Sequence, residues 1–424
     1  MIRLFLLALF VVALPLQAGE KHMGVATCAS SVCHGSSADR GEANILHSEY
    51  VIWGQRDPHA RAYRTLLSND SQRMAEKLKI GPAHQAPVCL ACHTDFVPEK
   101  ERGERFQLSD GVGCESCHGG AEHWLSSHTE SGVTHADNVQ RGLRPLQQPE
   151  QRAELCIGCH VADKERFASH DLMGAGHPRL QFELATYSRL WPAHHRDDER
   201  YRVRKTSPEN MELWLAGQLQ TAGRMLEGLK SDRFMATPLW PELAFFDCHA
   251  CHSSMDADKW QPRPAAALAP GAVRLNDSPL LMVGWLLDVS DRDAALRWRD
   301  QVAALHQASQ QGRESVAEVA DSLLQQLQGI KRQLARRGFG FAEQKNLVEL
   351  LVRDTGAGVF NDYMTSEQVL MVLALIHEGQ GGDSASLNRL YSSLSDQHRF
   401  RSAQFVQAME RFRSYYEKSG RDRP

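Results

Sequence analysis

The stretch Gly113-Cys114-Glu115-Ser116-Cys117-His118-Gly119 sets two thiols three residues apart and follows the second at once with an imidazole. The same Cys-x-x-Cys-His pattern returns at Cys89, Cys92 and His93, at Cys156, Cys159 and His160, and at Cys248, Cys251 and His252. A looser copy, Cys28-Ala-Ser-Ser-Val-Cys33-His34, has two more residues between its thiols. The five copies use all ten cysteines of the chain.

One chemistry requires a histidine at that single offset. Two thiols form thioethers with the vinyl groups of a haem, and the adjacent imidazole turns under the porphyrin as the proximal iron ligand. Zinc would combine cysteine pairs in fours, and a thioredoxin-like redox pair would occur once in a βαβ setting. The four regular copies therefore predict covalent haem c with His93, His118, His160 and His252 as proximal ligands. The loose copy admits two readings. Either Cys28, Cys33 and His34 hold a fifth haem, or the two thiols close a small disulfide loop in an oxidising compartment. The haem reading is preferred, giving about five haems in all.

The N-terminus agrees with export. Arg3 precedes an apolar run, Leu4 to Leu16, and Leu16-Gln17-Ala18 ends in a small residue before Gly19. The run is short for a membrane span, so residues 1–18 are read as a signal peptide, and a periplasmic or secreted protein is expected. The later apolar runs, Leu280–Leu287 and Val369–Ile376, lie among charges and read as core helices, so no transmembrane anchor is expected. The formal charge of −4 becomes −5 once the leader, with its one arginine and no acid, is removed. Five haems would add about ten propionates. Nothing basic suggests nucleic acid, and an acidic electron carrier would meet its partners through their basic patches.

All five motifs lie between Cys28 and His252, and a Pro/Ala-rich stretch, 263–270, follows. Residues 19–262 are read as a pentahaem domain and 271–424 as a separate helical domain of unknown role. On this reading, a chain ending near Pro270 should keep its haems. The expected fold is mainly α: a loop-rich multihaem domain with short helices, then a helical bundle-like domain. One helix should follow Ser207-Pro208, with Met211, Trp214, Leu215, Leu219, Ala222, Leu226 and Leu229 on one side. Val316 to Leu334 repeats at helical spacing and stops at Arg336-Arg337-Gly338. Thr365-Ser-Glu-Gln368 reads as a capping box before Val369–Ile376, and a last helix should cover Ala403 to Tyr416.

Fifteen histidines remain after the five proximal ones, more than full bis-histidine ligation needs. His249 is a filler residue inside a motif and is not expected to reach an iron. Local sequences narrow the rest. Trp53-Gly-Gln-Arg-Asp-Pro-His59-Ala-Arg-Ala resembles the Trp-x-x-Ser-x-His-Ala-x-Ala element of the cytochrome c-554 family of multihaem cytochromes, with Asp57-Pro58 in place of Ser-x. Gly111 to His123 is similar to that family's Cys-x-x-Cys-His-Gly-x-x-x-His element. Ser169 to Leu184, ending in Trp191-Pro-Ala-His194-His195, and Phe246 to His252 are similar to segments of related secreted multihaem proteins. The resemblance covers roughly residues 24–255. It implies distal-ligand roles for His59, His123, His170 and His177, with His47 and His195 as the next choices.

Three functions fit these features. The first is a soluble carrier passing single electrons through mostly bis-histidine haems of low potential, with quinol-linked or periplasmic donors and acceptors. The second is an oxidoreductase for a small nitrogen or sulfur compound, such as nitrite, hydroxylamine or tetrathionate, at one five-coordinate haem. The irregular His34 site is the place for such a haem, yet no lysine replaces a proximal histidine and no catalytic cluster declares itself. The third is a subunit whose C-terminal helices hold a larger assembly together. Sequence leaves the oligomeric state open.

Overall fold

The computed structural model describes residues 20–41, 45–235, 242–252, 268 and 272–419. The leader-like run and the Pro/Ala stretch, apart from Leu268, lie outside the described residues. The described chain is mainly α. It contains no strand, and its β contacts are three isolated bridges, His22 to Arg102, Ala162 to Phe167 and Phe246 to Leu275. The first half carries short helices: α1 (Glu49–Arg56), α2 (Asn69–Leu78), α3 (Pro87–His93), α4 (Cys114–His118), α5 (Pro149–His160), α6 (His170–Ala175) and α7 (Leu184–Leu190). Long helices follow: α8 (Asn210–Lys230), α9 (Ser278–Ser290), α10 (Arg292–Ala308), α11 (Arg313–Arg337), α12 (Phe341–Arg353), α13 (Tyr363–Gly379) and α14 (Ser402–Ser419).

Each regular motif is helical because positions i, i+3 and i+4 share one face of a helix, so two thiols and an imidazole can address the same group. Prolines open α3 and α5, where the missing N–H would have had no partner. The loose copy behaves differently. A short helix, Val25–Cys28, ends at the first thiol, and a turn with Cys33 N–H donating to Ser30 O at 2.9 Å absorbs the two extra residues. Glu115, inside the third motif, binds this N-terminal segment to α4. Its carboxylate accepts backbone N–H groups from Met23 and Gly24 at 2.7 Å and from Ala121 at 2.8 Å. Gly24 has φ of 90°, and any Cβ there would run into the Arg105 carbonyl.

The hydrophobic core crosses the expected division at 263–270. One cluster runs from Ala153 and Ile157 on α5, through Leu219, Ala222 and Leu226 on α8, to Leu323, Leu327 and Ile330 on α11 and on to Phe412 on α14. Where two separate domains were expected, the described residues of both halves share one cluster of buried side chains, because α8 is buried on several sides. The expected single apolar stripe on α8 is too narrow. Leu213, Ala216, Gln218 and Met225 are buried as well, and Gly217 and Gly228 allow the close approach of Leu184 and the Phe245 ring. Its cap also differs from the Ser207-Pro208 signal. Glu209 and Glu212 form the capping box. On α13 the cap is Asp362, accepting from Thr365 N–H at 2.7 Å, while Thr365 and Ser366 are fully buried in the first turn. The helices ending at Gly338 and covering 402–419 follow the sequence reading.

Polar contacts fasten the fifth motif to the C-terminal half. Arg274 pairs with Asp247 at 2.5 Å and with Asp362 at 3.3 Å. His249, the filler of that motif, places Nε2 2.8 Å from the Gln397 carbonyl oxygen and packs its ring near Tyr363.

Candidate haem sites

A bond from an imidazole nitrogen to a first-row metal is about 2 Å long, and that nitrogen lies about 1 Å from the ring centre. Two imidazoles on opposite faces of one iron therefore have centres about 6 Å apart. All five motif histidines meet this condition with a second histidine. The ring centres are separated by 6.4 Å for His34 and His128, 6.5 Å for His93 and His177, and 6.3 Å for His118 and His194. They are 5.9 Å apart for His160 and His59 and 6.2 Å for His252 and His170. Each pair joins one motif imidazole to one from elsewhere in the chain, and no histidine serves twice. These residues fit five haems with an imidazole on either face.

The surroundings of several of these rings suit them to metal ligation. An imidazole whose Nδ1–H donates a hydrogen bond keeps its lone pair on Nε2 and its plane fixed. Nδ1 of His34 lies 3.1 Å from Glu49, that of His59 2.8 Å from Asp57, and that of His93 3.1 Å from the Ala62 carbonyl. For His128 and His177 the acceptors are the Leu125 and Pro178 carbonyls, at 2.6 and 2.7 Å. Burial, and then the facing ring, push His118 and His160 down to about 4, so both are neutral at physiological pH. His34 is raised instead, first by its bond to Glu49. The ring of Phe182 lies 4.6 Å from His160, nearly parallel to it.

Thiols of different motifs are neighbours. Cys28 lies near Cys114, and Cys92 near Cys159. Burial, with Cys156 next to it, raises the Cys117 thiol to about 12. The first site is thus beside the third, the third beside the fourth, and the fourth beside the second. His170 and His177, which face the fifth and second motifs, flank the single helix α6.

Of the six histidines expected as distal ligands, the structure brings His59, His170 and His177 opposite motif rings. It sets the other three elsewhere. The His123 side chain is 58% exposed and lies near Glu122. His47 has a left-handed backbone, φ 59°, and its Nδ1 donates to the Cys33 carbonyl at 2.8 Å. His195 packs edge-on against His194 and beside Tyr201. The positions facing His34 and His118 belong to His128 and His194, which the sequence reading passed over. His128 follows His123 by five residues and His194 precedes His195 by one, so local spacing offered no choice between them.

His22, Asp95 and Glu115 also converge, all buried. Glu115 already accepts three backbone N–H groups, and His22 Nδ1 is 2.7 Å from Asp95, so the cluster works as a clamp on the N-terminal segment. No helix of the described residues is long and apolar enough to cross a membrane.

Comparison with known proteins points the same way. Residues 26–119 match the family described as "Cytochrome c554 and c-prime". The chain is 30% identical over 133 residues to cytochrome c-554 of Nitrosomonas europaea, a match covering 29% of this chain and 56% of that relative. It thus spans about half the length of the relative it matches. No solved structure matches.

Proposed function

We propose that this chain, a cytochrome c-554-like multihaem cytochrome over its N-terminal part, carries electrons one at a time through five covalently bound, bis-histidine haems. One observation carries the reading: each of the five motif imidazoles has a second imidazole opposite it at the spacing an iron needs. A bound haem c supplies a one-electron ferric/ferrous couple. The protein contributes the rest. Cys28 and Cys33, Cys89 and Cys92, Cys114 and Cys117, Cys156 and Cys159, and Cys248 and Cys251 anchor the porphyrins. His34, His93, His118, His160 and His252 are the proximal ligands, and His128, His177, His194, His59 and His170, respectively, are the distal ones.

With an imidazole on each face, no axial position is left for a substrate. Two imidazoles and no thioether also favour low potentials. The sulfur contacts and the shared helix α6 support a path that departs from chain order: first site, third, fourth, second, fifth. The fifth site lies against the C-terminal helices. The mature protein belongs in the periplasm or outside the cell, where acidic charge and haem propionates present it to basic redox partners.

Intact-mass measurement of the exported protein tests the haem count. The 19–424 chain plus five haems is expected. A mass with four haems and one disulfide would remove Cys28, Cys33 and His34 from the path.

A further inference from the structure

Asp57, two residues before His59, is 5% exposed. Oδ1 accepts the His59 ring Nδ1–H at 2.8 Å and the His59 backbone N–H at 2.9 Å. Oδ2 accepts the Trp191 indole N–H at 2.6 Å. Among the described distal rings, His59 is the one whose Nδ1 is bonded to a carboxylate; His128 and His177 donate to neutral backbone carbonyls. The difference is chemical. A carboxylate draws the Nδ1 proton toward itself and makes Nε2 a stronger electron donor to whatever it ligates. A stronger donor favours ferric over ferrous iron.

Trp191 occupies a second position of interest. Its ring centre is 5.1 Å from that of His59 and 6.2 Å from that of His194, so it stands between the distal rings of the fourth and third sites. Its indole N–H competes with His59 for the charge on Asp57. From these contacts the geometry points to Asp57 as a positioning residue that gives His59 imidazolate character and lowers the potential of the fourth site, with Trp191 limiting how far. This inference rests on the reading that His59 and His160 share an iron.

The simpler role for Asp57 is to cap the 3-10 turn Pro58–Arg61 through the His59 backbone N–H. Opposite signs separate the two roles. In the full-length holoprotein, Asp57→Asn keeps a side-chain oxygen that can cap the turn and accept from Nδ1 but removes the charge. Trp191→Phe leaves the charge and removes its competitor. Redox titration followed by visible spectroscopy, with low-spin haem counted by electron paramagnetic resonance, reads both. We expect one of the five midpoints to rise in Asp57→Asn and the same midpoint to fall in Trp191→Phe, with the low-spin count unchanged. If neither midpoint moves, or both move in the same direction, Asp57 is only a cap. Should Asp57→Asn fail to accumulate, a downward shift in Trp191→Phe still supports the inference and its absence overturns it. His59→Ala tests the underlying reading separately: an unchanged low-spin count there would mean that His59 is not a ligand, whatever the other variants do.

Discussion

At the residue scale, His128 and His194 carry the account where it departs furthest from what the sequence suggested. Replacing either by alanine should open one iron, seen as one new high-spin haem and carbon monoxide binding to one fifth of the haem. His123→Ala should change neither. If His123→Ala opened an iron and His128→Ala did not, the pairing of His34 would have to be redrawn. The proposed proximal ligands can be read from the sequence because thioethers and imidazole would attach to one porphyrin from one helical turn, which fixes their spacing locally. Distal ligands come from the far face of the porphyrin and are delivered by tertiary structure. His59, 101 residues before its partner His160, could be picked out only by family likeness. Where two histidines stood close together, as at 123 and 128 or 194 and 195, nothing local distinguished them.

At the element scale, α8 is the part on which both halves depend. Its Leu226 is fully buried in the cluster shared by α5, which carries the fourth motif, and by α11. Truncating such a leucine to alanine costs about 2–5 kcal/mol. Leu226→Ala should lower the thermal midpoint recorded from haem absorbance and from helical circular dichroism by the same amount. Two separated transitions would show that the halves fold independently. Helix positions were readable from periodicity, because a 3.6-residue repeat is a property of the local chain. The caps of α8 and α13 were less so. Glu209 and Asp362 accept from first-turn N–H groups and Glu212 from the Glu209 N–H, and the sequence offers a serine or threonine close by in each case.

For the whole molecule, a Pro/Ala-rich stretch and the end of the cysteines suggested a domain boundary, but composition does not reveal which apolar faces meet across it. The shared core predicts that a chain ending near Pro270 will lose haem or aggregate, because it strips α11 from Leu226 and Arg274 from Asp247. Recovery of a soluble truncated protein with its full haem complement would restore two independent domains. The central claim is that every iron lies between two imidazoles. Electron paramagnetic resonance of the fully oxidised protein, with spins quantified against total haem, tests it most directly. Five low-spin haems per chain and no high-spin signal are predicted; a high-spin signal amounting to one haem would contradict the claim and turn the reading toward catalysis at that iron.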